Sequence, residues 1–231
     1  MRIHDLSSST CERATAPLCA LAFAAALLVF ILPAQAHPHV FVDGGVDFVF
    51  DESGKLDALK VTWLYDEFES LYILSSNELS LTADGKLGEE DRQQLIRLRS
   101  NWPDDFEGSA HLSVDGAAVQ LSRPADFDAN LINGQLQMTF TRHLDQPVQL
   151  NRSKAELAFY EATYFYAFAV TKNPRLLGAE SSCAANVIPF EADAQDDVLK
   201  SALAKLGREE TPDIADVGAF FADRITLQCA S

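Results

Sequence analysis

Val40-Phe41-Val42-Asp43-Gly44-Gly45-Val46-Asp47-Phe48-Val49-Phe50 carries the clearest structural pattern in the chain. Val40, Val42, Val46, Phe48 and Phe50 mostly alternate with Asp43, Asp47 and the glycines, the period-two pattern of a strand with one face buried. Asp51-Glu52-Ser53-Gly54 then turns the chain. Leu56 to Tyr65 reads as a second strand, with Val61, Trp63 and Tyr65 on one face, so the two form a hairpin.

Outward from this hairpin the grammar changes once and changes back. Asp66 followed by Glu69 resembles a capping box opening a helix to about Glu78, with Phe68, Leu71, Tyr72 and Leu79 as its apolar stripe. A second helix is expected from Glu89 to Arg99, ending before Asn101-Trp102-Pro103. These make a helical hairpin at about 66–101 inserted between strands. Asp115-Gly116 and Asn133-Gly134 then separate apolar alternating runs, both strong hairpin signals. Ala155 to Tyr160, Tyr164 to Val170 and Ala185 to Phe190 add strands. Helices near 196–206 and 214–222 and a strand from Ile225 to Cys229 close the chain. The expected fold class is α+β, mainly antiparallel β and sandwich-like, with an inserted helix-loop-helix and C-terminal helices.

Arg2 and Arg13 precede an uncharged apolar run from Leu18 to Leu32, about 15 residues against the roughly 20 of a membrane-spanning helix. With small residues at Ala34 and Ala36, residues 1–36 read as a signal peptide and 37–231 as one secreted, β-rich domain without stable membrane insertion. The roughly 195 residues that remain are enough for a good core. The formal net charge of −16 argues against nucleic acid and anionic lipid, and favours cations. Cys11 and Cys19 fall in the leader. Cys183 and Cys229 remain as a pair, which an oxidising compartment turns into a disulfide.

Cleavage after Ala36 makes His37 the first residue of the secreted chain. Its free amine and Nδ1 can chelate one metal ion, and His39 lies on the same face of an extended chain. Peptides with histidine third in the chain often bind copper or nickel through deprotonated amides, but Pro38 has no N–H to lose and blocks that mode. What remains is the amine and imidazole of His37, the imidazole of His39, and oxygen from Asp43 or Asp47. This mixed nitrogen and oxygen set suits Ni, Co, Zn or Cu(II). His111 and His143, on or beside expected strands, are further candidate ligands, although a strand histidine is more often a hydrogen-bonded structural residue.

Ser80-Leu-Thr82-Ala-Asp84-Gly85-Lys-Leu-Gly-Glu-Glu-Asp91 has the outline of an EF-hand loop between two helices. Ser80 and Thr82 stand where acids are usual, and Asp91 is shorter than the customary glutamate. The turn is kept and the ion largely lost, so calcium is not expected. The cluster of Tyr160, Tyr164, Phe165, Tyr166 and Phe168 beside Glu161 and Thr163 reads as core packing sooner than as a ligand pocket. No nucleophile elbow, phosphate loop or zinc-protease motif occurs, and no catalytic residue is expected.

His37-Pro-His-Val-Phe41, Trp63 with Tyr65-Asp-Glu-Phe68, the EF-hand-like loop, Thr163-Tyr-Phe165 and Phe221-Ala-Asp-Arg-Ile-Thr-Leu-Gln-Cys229 together resemble the bacterial family named only as domain of unknown function 1007. Its members are described as the periplasmic component of an uncharacterised ABC-type transport system. They are commonly encoded near permeases of the nickel and cobalt type, which implies metal traffic. Family members usually carry a fuller Asp-x-Asp-x-Asp-Gly loop than Ser80 to Asp91. The resemblance implies a periplasmic, non-enzymatic accessory protein that binds a divalent transition metal and serves an inner-membrane metal permease. A metal-free interaction module and a copper oxidase or oxygenase are the alternatives.

Overall fold

A computed structural model of the chain describes residues 38–103, 106–178, 183–206 and 210–230. Strands β1 (Val40–Phe50) and β2 (Leu56–Tyr65) form the expected antiparallel hairpin, Val46 opposite Val61 and Phe48 opposite Leu59. Asp51 holds its turn: Oδ1 accepts from the backbone N–H of Ser53 at 2.8 Å and of Lys55 at 3.0 Å. Gly44 is there because β1 and β2 approach closely. A Cβ on it would lie 2.1 Å from the Thr62 carbonyl oxygen.

Helix α1 (Glu67–Ser76) starts at the N-cap Asp66, whose Oδ1 accepts from Glu69 N–H at 2.8 Å. It turns Ser70, Ile73 and Leu74 inward. The buried Ser70 hydroxyl accepts from Leu136 N–H at 2.8 Å and so ties the helix to the sheet. Helix α2 (Glu89–Ser100) buries Leu95 and reaches over with Arg92, whose Nε donates to Asp128 at 2.9 Å. Opposite charges and acids in the first turn, with Arg97 and Arg99 in the last, match the helix dipole.

The remaining elements are β3 (Ala110–Val114), β4 (Ala117–Ala118), β5 (Ala125–Ile132), β6 (Gln135–Val148), β7 (Lys154–Phe159), β8 (Tyr166–Val170), β9 (Leu176–Leu177), β10 (Cys183–Ile188), α3 (Ala194–Leu203), a 3-10 turn (Val217–Phe221) and β11 (Asp223–Cys229). One sheet runs β5-β6-β2-β1-β8, with β9 also on β1; the second runs β10-β11-β7-β3-β4. They share one core, in which Phe48, Leu59, Val61 and Phe140 of the first meet Leu112, Leu157, Phe159 and Leu227 of the second. At about 1.5–3 kcal/mol for each large apolar side chain buried, this core is the main force holding the layers together.

Several boundaries differ from the sequence expectation, each for a tertiary reason. β8 and β9 lie parallel to β1, the departure from an antiparallel pattern. β4 ends at Ala118 because the chain leaves the second sheet there, and Leu121 bridges to Leu144 of β6. Tyr164 sits at φ 60°, so β8 begins at Tyr166. The helix expected at 214–222 is only the 3-10 turn, entered through Asp216 at φ 51°. Among the described residues no helix is long and apolar enough to cross a membrane.

Candidate functional site

The start of β1 is held by its parallel neighbour: the N–H groups of His39 and Val40 both donate to Phe165 O, at 2.9 and 3.2 Å. Phe165 is in place because the buried Glu161 carboxylate gathers the turn before it. Glu161 accepts from Thr163 N–H at 2.8 Å, Thr163 Oγ at 2.9 Å and Phe165 N–H at 3.0 Å. The His39 ring rests 4.8 Å from that of Phe165, with Nε2 shielded from solvent.

His39 lines an open groove of about 540 Å³ together with Phe41, Asp66, Phe68, Glu69 and Tyr72. Asp66 is fixed at its base. Oδ2 accepts from Phe41 N–H at 3.2 Å, while the Asp66 N–H donates back to Phe41 O at 3.1 Å. His39, Asp66 and Glu69 therefore line a common groove at the start of β1, with His39 Nε2 turned from solvent and both Asp66 oxygens accepting backbone N–H groups. Asp66 and Glu69 read in the sequence as helix-capping residues; a second use of such residues leaves no separate local signal.

The other expected donors are spread out. His37 lies outside the described residues. Asp43 is exposed on the same face of β1 as His39, but four residues on, about 13 Å at strand rise. Asp47 is engaged by Arg175, whose Nε and backbone N–H reach its carboxylate at 3.1 and 3.0 Å. His143 pairs across from Ala58 and has Nδ1 3.3 Å from Asp57 Oδ2, about seven residues and 23 Å along β2 from Tyr65. His111 belongs to the second sheet, its ring stacked 3.9 Å from Tyr160 and Nε2 3.2 Å from Tyr160 O. Burial pushes its imidazole below the ordinary value, against the Tyr160 carbonyl and the Glu107 charge. The structure thus brings neither His111 nor His143, nor either β1 aspartate, to His39. Among the described residues no group of three or more His, Cys, Asp or Glu is disposed to hold a metal ion.

The EF-hand-like loop keeps its turn by protein contacts. Gly85 adopts φ 75°, Leu81 bridges to Leu87, and Asp91 Oδ2 accepts from Ser80 N–H at 3.2 Å. Thr82 Oγ lies 2.6 Å from Asp84 Oδ1, and Lys86 Nζ 2.7 Å from Asp84 Oδ2. Cys183 and Cys229, register partners on β10 and β11, form the expected disulfide, which fits an oxidising compartment. In the aromatic cluster Phe168 is buried in the core and Tyr164 packs on Phe221.

These features define a disulfide-bonded α+β protein, a mainly antiparallel two-sheet sandwich with an EF-hand-like helix-loop-helix laid on one sheet. Within that class the chain belongs to the family described as protein of unknown function (DUF1007), which it matches over residues 22–229. It is also similar to an uncharacterised protein of Haemophilus influenzae (strain Rd), 23% identical over 198 residues that span 84% of this chain and 91% of the relative.

Proposed function

We propose that this is a periplasmic, non-enzymatic accessory protein that binds a divalent transition metal at the N-terminal end of β1 and works beside an inner-membrane permease. The observation that carries the reading is the shared groove of His39, Asp66 and Glu69. Residue 37 precedes it by two positions, so in an extended chain its side chain falls on the face of His39. The amine and imidazole of His37, His39 and a carboxylate then make a mixed donor set for Ni, Co, Zn or Cu(II). A net charge of −16 adds a field that concentrates cations. The leader and the disulfide support export to the periplasm.

Calorimetry with nickel, zinc and copper tests this on protein that begins at His37, beside the same chain with one extra N-terminal residue. The extension is expected to weaken binding at least about tenfold by removing the amine from the chelate. Glu69→Gln and His39→Gln weaken it further. Equal affinity of the two forms sinks the chelate.

A second reading, a metal-free partner of the permease, is favoured by the apolar rim of the same groove. Phe68 is 86% exposed, Phe41 57% and Tyr72 55%, more than isolated surface residues require. On this reading His37→Ala and His39→Ala leave both metal content and function unchanged.

A further inference from the structure

A different cavity, of about 280 Å³, opens between the end of α2 and the aromatic residues of the first sheet. Trp63 and Trp102 form one wall, stacked with centroids 5.7 Å apart and 5° from parallel. The plane of Trp63 is fixed by its Nε1–H, which donates to the buried Ser109 Oγ at 2.8 Å. Phe106 and Phe127 present their edges to Trp102 at 4.9 and 6.3 Å. Walls held this way do not collapse to fill the space.

Two polar groups meet this cavity with no protein partner to account for them. Tyr65 is 2% exposed, yet the hydrogen bonds to it, from Ser70 Oγ and Gln135 Nε2, end on its backbone carbonyl and leave the hydroxyl without one among the described residues. That hydroxyl keeps its hydrogen-bonding capacity open to a group in the cavity. Arg99, half-buried in the last turn of α2, lines the same cavity and makes no ion pair among the described residues. Both line the same cavity, where burial pushes the Tyr65 phenol up and the Arg99 charge pulls against it. Among the described residues no carboxylate lines the cavity.

We propose that this cavity is a binding site for a small aromatic carboxylate, whose ring packs against Trp63 and Trp102 while its carboxylate is taken by the Arg99 guanidinium and the Tyr65 hydroxyl. Both groups are donors, so the complementary head is an anion; guanidinium and carboxylate match in geometry as well as charge. Aromatic walls select a ring, which gains by offset or edge packing beyond the area it buries. At roughly 30 Å³ for a water-sized group, the volume takes one ring and a short acid tail.

The chain has two tryptophans, and both line this cavity. Tryptophan emission of the full chain therefore reports on occupancy directly. Phenylacetate is the probe, with phenylacetamide as the neutral isostere and acetate as the head alone; calorimetry gives the affinities. Phenylacetate is expected to change the emission saturably with one-to-one stoichiometry, with Arg99→Gln raising its Kd at least about tenfold and Tyr65→Phe several-fold. Tyr65→Phe is also expected to leave the Tm of the empty protein unchanged or higher, which shows that a lost affinity is not a lost fold. The proposal is overturned by phenylacetamide binding as tightly as phenylacetate, by no saturable change at millimolar phenylacetate, or by both variants binding like the wild type.

Discussion

Lys86 Nζ lies 2.7 Å from Asp84 Oδ2 on the exposed surface of the EF-hand-like loop. Its ammonium neutralises one carboxylate of that loop. The Lys86 hydrogen bond, the Thr82 hydroxyl and the Lys86 charge hold the Asp84 carboxyl at about 2. A folded value below the ordinary 3.8 means that the pairing contributes above that pH and is lost as pH falls towards 2. Both side chains are largely exposed, so the contribution is small.

From this pairing it follows that calcium leaves the Tm of the chain unchanged. Removing the paired lysine and adding ligands reverses this: Ser80→Asp, Thr82→Asp and Lys86→Gln together restore acidic first and third positions around Asp84. The triple variant is expected to gain a calcium-dependent rise in Tm, read by differential scanning calorimetry. A calcium response in the wild type would refute the expected loss of the ion.

The disulfide closes a segment of 46 residues between β10 and β11. In the chain-entropy account a loop of that length is worth roughly 4 kcal/mol, or a Tm shift of on the order of 10 °C for a domain of this size. Cys183→Ser with Cys229→Ser, compared with the oxidised wild type in thermal melts, is expected to show that fall while far-UV dichroism keeps the sandwich spectrum.

His111 predicts a pH dependence. Its ring packs on Tyr160 and faces Glu107, Arg142 and Asp216, and burial lowers its value below 6.5. A histidine with a lowered folded value binds fewer protons than in the unfolded chain, so stability is full above 6.5 and falls as pH drops below it. His111→Phe removes that slope. Tm measured from pH 7.5 to 5 should decline in the wild type and decline less in the variant; parallel curves would show that another group titrates.

Gly44→Ala tests the closeness of β1 and β2. A Cβ would meet the Thr62 carbonyl at 2.1 Å, and the Gly44 carbonyl also accepts from Thr171 and Lys172 N–H at 2.9 and 3.0 Å. The strand cannot retreat without losing β8. A loss of about 1–3 kcal/mol or more is expected in urea unfolding. Gly134→Ala is a control with open space around it, though its φ of 83° still carries some strain.

Much of the fold was legible because its signals are local. Period-two apolar runs gave β1 and β2, Asp115-Gly116 and Asn133-Gly134 gave their hairpins, and Asp66 gave the start of α1. Boundaries failed where a distant partner decides them, as at β4, where the chain switches sheets, and at Tyr164, where the Glu161 turn delays the strand. The site was less legible. His39 is marked by its place beside a cleavage signal, but its expected companion, Asp43 or Asp47, is near only in sequence: strand geometry carries Asp43 about 13 Å away, and Arg175 engages Asp47.

Residue type at short spacing is enough for the strand alternation, the turns and the helix-loop-helix, and elimination is enough for the pairing of Cys183 with Cys229. Long-range packing is what sets β8 parallel to β1, puts Asp66 and Glu69 in one groove with His39, and lines one cavity with Tyr65, Arg99 and the stacked Trp63 and Trp102. Those juxtapositions join residues up to some 126 positions apart in the chain. They arise because two sheets that must bury a common core bring together whichever side chains lie at their ends, and no local pattern records that meeting.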